Sequence, residues 1–215
     1  SGGTGAGKTT FLNILSHYIP ADERVITVED SAELQIQNIR NLVRLEARNA
    51  NVEGKNEVTI RDLIRSALRM RPDRIIIGEI RDATAIDMLT AMNTGHDGSL
   101  STGHANSSID MMNRLETLVL MGMDIPLEAI RHQIASAIDI VVHLGRLRDR
   151  SRRILEICEV GGVEQERIRL FPLFRFVETG EHDGRVEGRL EYTGHRLIRE
   201  DKCKKAGIRE LMCGS

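Results

Sequence analysis

Ser1-Gly2-Gly3-Thr4-Gly5-Ala6-Gly7-Lys8-Thr9-Thr10 contains, from Gly2 to Thr9, the pattern G-x-x-x-x-G-K-[ST]. Glycine at positions 2, 3, 5 and 7 strips away the Cβ atoms that would hold a backbone off a phosphate. It also permits the positive φ angles that such a loop needs. Residues Thr9 to His17 (TTFLNILSH) read as a helix, so its positive end would face the same anion. Lys8 supplies a point charge for the β- and γ-phosphates, and the Thr9 hydroxyl is placed to ligate Mg²⁺. Gly2 to Thr10 is therefore the expected phosphate-binding segment. The motif leaves open what the nucleotide is used for.

The 215 residues, 40% apolar and 29% charged, suffice for one α/β domain with a small extension. A formal net charge of −2 offers no basic excess, and a chain with no Trp, two Tyr and four Phe lacks the aromatic faces of a base-stacking platform. Nucleic acid is accordingly not an expected partner. Cys158, Cys203 and Cys213 are far apart with no C-x-x-C pair, which suits reduced thiols in a cytosolic protein and not a disulfide framework or a zinc site. No apolar run reaches the ~18 residues of a membrane span, and no signal peptide is read. The sequence opens at the loop itself, without an initiator Met or the apolar strand that normally feeds such a loop. It is expected to be a fragment lacking its first core strand.

Outward from the loop, strands and helices alternate. Arg24 to Val28 is a β-branched strand ending at Glu29-Asp30, and Leu42 to Leu45 is a weaker strand. Thr59 to Met70 carries apolar residues at 60, 63, 64, 67 and 68, the stripe of an amphipathic helix. Arg74 to Ile77 is the continuous apolar strand of a parallel sheet. Helices follow at 83–93, from Ser107, and from Pro126 to Ala137, with short strands at 100–102 and 139–144. The pattern predicts an α/β fold with a mainly parallel sheet over 1–160. Residues 161–215 form a small β-rich extension, with a hairpin turn at Asp183-Gly184 and a closing helix around 198–211.

In an open parallel sheet the ligand lies beyond the carboxyl ends of the strands, so polar residues at those ends are the ones to inspect. Glu29 and Asp30 follow one strand, and Glu79 follows another. Gly78 stands where a metal-linked Asp is usual, and Glu79, one residue later, suits a general base or a water-orienting group. Glu29 or Asp30, acting through water, then compensates at the Mg²⁺ site. His96 and His104 flank the strand at 100–102; one imidazole is expected near the γ-phosphate and the other near a subunit boundary. Two histidines alone do not close a zinc site. Among the arginines near Glu79, Arg81 is the candidate for phosphate or interface work. The run Arg146, Arg148, Arg150, Arg152, Arg153 reads as a solvated edge or a partner-facing surface.

GGTGAGKTT, VITVEDSAEL, RMRPDRIIIGEIRD and MNTGHDGSLSTGHANS, in this order, resemble the type II/type IV secretion ATPases. VEGKNEVTIRDLIRSALRMRPDRIIIGE and IASAIDIVVHLGRLRDRSRRI look like the Flp/Tad pilus-assembly (CpaF-like) branch in particular. The resemblance covers nearly the whole chain. It implies a RecA-like ATPase core that works as a homo-hexamer at the cytoplasmic face of the inner membrane. ATP hydrolysis with Mg²⁺ would drive pilus assembly or protein secretion through membrane platform proteins. By motif position, Lys8 and Thr9 match the Walker A residues, Glu29 the Asp-box acid, Glu79 the Walker B glutamate, and His96 and His104 the His-box pair. Thr9, Glu29 and Glu79 would hold Mg²⁺, partly through water. The resemblance also implies an N-terminal domain, missing here, that supplies arginines to the phosphates. Three departures stand out: that domain, Thr84 where an acid is common, and Gly103 in place of an aliphatic residue. A nucleic-acid motor or DNA-transfer ATPase on the same sheet, a small-molecule phosphotransferase and a non-catalytic subunit are the alternative readings.

Overall fold

The computed structural model describes residues 1–205. Four strands, β1 (Arg24–Glu29), β2 (Asn41–Glu46), β3 (Arg74–Ile77) and β4 (Leu100–Ser101), form an all-parallel sheet in the order β2-β1-β3-β4. Helices α1 (Lys8–Ser16), α2 (Ile60–Leu68), α3 (Ala85–Asn93), α4 (Ser108–Leu120) and α5 (Leu127–Ala137) surround it. Both faces of the central strands are covered. Ile26, Ile75 and Ile77 turn toward Ile64, Leu89, Leu115 and Ile130 of the helices. Val25 and Ile76 turn the other way, toward Leu12 of α1 and Ile19, Leu34 and Ile36. Two-sided burial is why these strands read as unbroken apolar runs and not as alternation. The stripe at 60–68 becomes α2, begun by a reciprocal cap. Thr59 Oγ1 accepts from the Asp62 N–H (3.2 Å) and Asp62 Oδ2 accepts from the Thr59 N–H (3.1 Å). Such a cap contributes about 1 kcal/mol.

The expected strand at 139–144 does not join the parallel sheet. It is the first strand of a second, antiparallel sheet made of β5 (Ile140–Arg146), β6 (Arg152–Glu164), β7 (Arg167–His182) and β8 (Arg185–Tyr192) in consecutive order. A short β-branched run states that a strand forms, not which partner it takes; here the hairpin to β6 supplies a local partner. Residue 160 consequently falls inside β6. Val141, Val160 and Ile168 enter the same core as α4 and α5, so the second sheet packs on the helical layer and not on a core of its own.

Ser1 and Gly2 join the two sheets. The Gly2 N–H donates to the Gly103 carbonyl just past β4 (3.3 Å), while the Leu144 N–H of β5 donates to the Ser1 carbonyl (2.9 Å). The edges of β4 and β5 are thereby held one strand apart, and a cavity of about 360 Å³ lies between them, lined by Leu100, Ser101, Ile140, Val142, Met92 and Met112. A Cβ on Gly2 would come within 2.5 Å of the Leu144 carbonyl oxygen, so only glycine closes this junction.

The predicted turn at Asp183-Gly184 is left-handed at both residues (φ 49° and 70°), the geometry that matches the twist of a tight hairpin. A buried carboxylate pins the segment after β8. Glu159, fully buried, accepts from the Ile198 N–H (2.8 Å) and the Arg199 N–H (2.7 Å), and His195 stacks on Phe171 with ring centroids 4.6 Å apart. Backbone donors offset the cost of burying that charge. A helix α6 (Glu200–Lys205) follows; the rest of the helix expected at 198–211 lies outside the described residues, as does Cys213. Burial, then the neighbouring Glu156, pushes the Cys158 thiol up to about 12, so it is not a reactive thiolate at neutral pH. Among the described residues no helix is long and apolar enough to cross a membrane.

Asp149 ties the β5–β6 turn to β8. Its carboxylate accepts from the Ser151 hydroxyl (2.7 Å), the Ser151 N–H (2.9 Å) and the Val186 N–H (2.9 Å), and these bonds hold its pKa at about 2 against an ordinary 3.8. A depressed acid stabilises the fold above its unfolded pKa and loses that contribution as pH falls through its folded one. Asp149→Ala should therefore lower the melting temperature at pH 7. Mutant and parent should converge as the pH falls from about 4 toward about 2. A gap that stays constant over that range would contradict this role.

Candidate functional site

Gly2 to Gly7 wrap ahead of α1. Gly5 and Gly7 adopt φ 72° and 96°, left-handed conformations that a side chain would strain, and Gly7 is the N-cap of the helix. The Ala6 N–H donates back to the Gly3 carbonyl (3.2 Å), and the buried Ala6 methyl anchors the loop on the core. Lys8 curls over the loop: its Nζ donates to the carbonyls of Gly2 and Gly3 (both 3.1 Å). Its pKa is lowered, chiefly by burial, with the negative charge of Glu79 pulling the other way. The hydroxyls of Thr9 and Thr10 take no hydrogen-bond partner among the described residues, so that of Thr9 is free to turn toward a ligand.

Three of the expected site residues meet. Glu79 follows β3, and its Oε1 lies 3.0 Å from His104 Nε2; His104 Nδ1 lies 3.4 Å from Lys8 Nζ. One imidazole therefore links the loop lysine to the acid after β3. An ammonium only donates, so Nδ1 is the nitrogen placed to accept from Lys8 and Nε2 the one placed to donate to Glu79. The elements that set this geometry are short. The Ile80 N–H donates to the Thr102 carbonyl (2.9 Å) and the Thr102 hydroxyl to the Gly78 carbonyl (2.6 Å), locking the ends of β3 and β4 together. Gly103 sits where Met111 packs; a Cβ there would lie 2.6 Å from the Met111 methyl, so a side chain at 103 would require the end of Met111 to move.

Glu29 is placed differently. It is only 5% exposed, and its Oε1 accepts from the N–H groups of Glu33 (3.0 Å) and Leu34 (2.9 Å), shaping the loop after β1. Its side chain also fills the space beside Gly78: a Cβ on residue 78 would come within 3.1 Å of Glu29 Cγ. The acid of β1 thus occupies room that a side chain after β3 would need. Asp30 and Arg81 form an exposed ion pair, and Arg81 Nε lies 3.8 Å from Glu79 Oε2. Such a pair stabilises little and is easily exchanged. Thr84, buried at the start of α3, donates its hydroxyl to Asp82 (2.6 Å) and serves as a turn residue.

His96 stands apart from this cluster. Its Nδ1 faces the Ala91 carbonyl (3.0 Å) and the Thr94 hydroxyl (3.4 Å) at the end of α3, bordering the cavity between β4 and β5. Arg152, grouped in sequence with a solvated arginine run, lies against the loop instead: the one atom that a Cβ on Gly7 would meet is Arg152 Cδ, at 3.3 Å. Nothing in a uniform run of arginines marks which one reaches the loop.

The arrangement suits an anion at the start of α1, with Lys8 as its cation and Glu79 a short distance beyond. The comparisons agree with that chemistry. The model of the family "Type II/IV secretion system protein" matches residues 1–207. A putative conjugal transfer protein of Mycobacterium tuberculosis is 48% identical over 157 residues, 73% of this chain and 44% of that protein. The type IV secretion system protein PtlH of Bordetella pertussis is 40% identical over 166 residues, 73% of this chain and 48% of that protein. Among solved structures, the VirB11 ATPase of the Brucella suis type IV secretion system, in complex with sulphate, superposes with a TM-score of 0.66 at 37% identity, covering 74% of this chain and 46% of that one. The chain thus spans a little under half the length of these relatives. With a glycine-rich loop at the start of α1 beside a parallel α/β sheet, and the family model matched over residues 1–207, this chain has a RecA-like core and belongs to the type II/IV secretion system protein family.

Proposed function

We propose that this chain is the nucleotide-hydrolysing part of a secretion or pilus-assembly motor, converting ATP and water to ADP and phosphate. The observation that carries the reading is the Lys8–His104–Glu79 relay, which puts a phosphate-binding cation and a water-directing acid on opposite nitrogens of one ring. On phosphate binding, Lys8 exchanges the carbonyls of Gly2 and Gly3 for phosphate oxygens. Glu79, held by His104, orients a water in line with the γ-phosphorus and draws off its proton. The water oxygen bonds to phosphorus as the bond to the bridging oxygen breaks, and ADP leaves with that electron pair. Lys8 and the N–H groups at the start of α1 offset the charge that develops. A hydroxyl at Thr9 and carboxylates at Glu29 and Glu79 make an all-oxygen donor set, which fits a hard divalent cation; partly through water, they would hold Mg²⁺. That ion would supply further neutralisation of the phosphate oxygens.

By the family resemblance the working unit is a homo-hexamer at the cytoplasmic face of the inner membrane, coupled to platform proteins. The stretches quoted above favour the Flp/Tad branch. A relative named for conjugal transfer supports a second reading, in which the cargo is DNA. Stimulation of hydrolysis by DNA, and not by ring assembly or anionic lipid, would favour that second reading.

Glu79→Gln in the full-length protein should retain ATP binding and lose turnover; parental turnover would remove Glu79 from its assigned role. The two histidines should separate. His104→Ala is expected to lower the phosphate-release rate by about tenfold or more through misplacement of Glu79, with ATP affinity changed far less. His96→Ala, remote from the relay, should have the smaller effect. Equal losses in steady-state phosphate release would contradict the placement of His104.

A further inference from the structure

The structure sorts the five arginines around the β5–β6 hairpin. Arg146 donates through Nε to the Arg150 carbonyl (3.3 Å), and Arg153 donates to the Arg152 carbonyl (3.2 Å). Arg148 is clamped by Glu178 (2.5 Å) and Glu181 (2.8 Å), and Arg150 forms the left-handed corner of the turn (φ 66°). Arg152 shares with Arg150 the lack of a side-chain partner among the described residues and differs from it in place. It is exposed, and among the described residues its guanidinium has neither a carboxylate nor a carbonyl partner. Its stem nevertheless has a defined place, with Cδ against Gly7, the residue that caps α1 and precedes Lys8. The same hairpin also grips the start of the loop, where the Leu144 N–H donates to the Ser1 carbonyl (2.9 Å). The loop is therefore flanked by this hairpin at both ends, by β5 at Ser1–Gly2 and by β6 at Gly7.

We propose that Arg152 is a nucleotide-contacting residue acting within its own chain, its guanidinium binding the α/β-diphosphate that ADP and ATP share. The proposal rests on the reading of Gly2 to Thr9 as the nucleotide loop. Its physical content is charge balance. The start of α1, Lys8 and Arg152 bring positive potential to one place, and among the described residues no acid is paired with Arg152. An anion at the loop resolves that imbalance, and a planar guanidinium suits two oxygens of a diphosphate. Lys8, His104 and Glu79 approach the loop from the β3–β4 side. Arg152 comes from the β6 side, beside the residue that begins the helix, and the proposal takes that side for the inner phosphates.

The test is calorimetric titration of the full-length protein with ADP and with a non-hydrolysable ATP analogue, both with Mg²⁺. Parent, Arg152→Ala, Arg152→Lys and Lys8→Ala are compared, with melting temperatures alongside. The expected result is a loss of affinity of about tenfold for both nucleotides in Arg152→Ala, equal within a factor of about two, with an unchanged melting temperature and partial recovery in Arg152→Lys. A loss confined to the ATP analogue, or no loss for either ligand while Lys8→Ala abolishes binding, overturns the proposal and leaves the loop reading intact. An equal loss with a lowered melting temperature and no recovery in Arg152→Lys also overturns it, assigning Arg152 to folding. If Lys8→Ala itself binds both nucleotides like the parent, the loop reading fails instead, and this proposal with it.

Discussion

The seat of Ser1–Gly2 between the two sheets is the constraint on which the site depends. Gly2 donates to the end of β4 while Ser1 accepts from β5, and the Leu144 carbonyl approaches so closely that no side chain fits at position 2. That junction fixes where the loop starts; α1, packed through Leu12 on the core, fixes where it ends. Between the two, the backbone must turn through left-handed conformations at Gly5 and Gly7. The glycines are thus two kinds of solution, steric at the junction and conformational in the turn. The loop's N–H groups and Lys8 then share one location for physical reasons that precede any ligand.

Charges converge on this seat from the strand ends. Lys8 donates to the Gly2 and Gly3 carbonyls and faces the His104 ring, and a charged oxygen is a stronger partner for an ammonium than a carbonyl dipole is. Glu29 contributes by shape as well as charge: bound by two backbone N–H groups, it fills the room left by Gly78. The acids around the site thus divide into one that shapes a loop, Glu29, and one tied to the relay, Glu79, with Asp30 engaged by Arg81 at the surface.

Much of the fold was legible because local rules decided it. The glycines of the loop, the two-sided apolar runs of β1 and β3, the Thr59–Asp62 cap and the Asp183-Gly184 turn each carry their conformation in a few adjacent residues. The partner of β5 was not legible, because a β-branched run pairs equally well with a parallel or an antiparallel neighbour. The same limit applied to the site. His96 and His104 flank one short strand and look equivalent in spacing, yet only His104 turns toward Lys8. Gly103, a departure from the family pattern, packs against the end of Met111, a contact eight residues on that the pattern does not show. Arg152 was indistinguishable from its neighbours until the hairpin laid its stem across Gly7. In each case the deciding contact lies beyond the adjacent residues.

The central claim is that Lys8 is a phosphate ligand held in readiness by its own loop and by His104. A crystal structure of the full-length protein with Mg²⁺ and a non-hydrolysable ATP analogue tests it most directly. The account predicts Lys8 Nζ released from the Gly2 and Gly3 carbonyls and bonded to phosphate oxygens, with His104 Nε2 still on Glu79. Nucleotide bound elsewhere, with Lys8 still on its loop carbonyls, would contradict it.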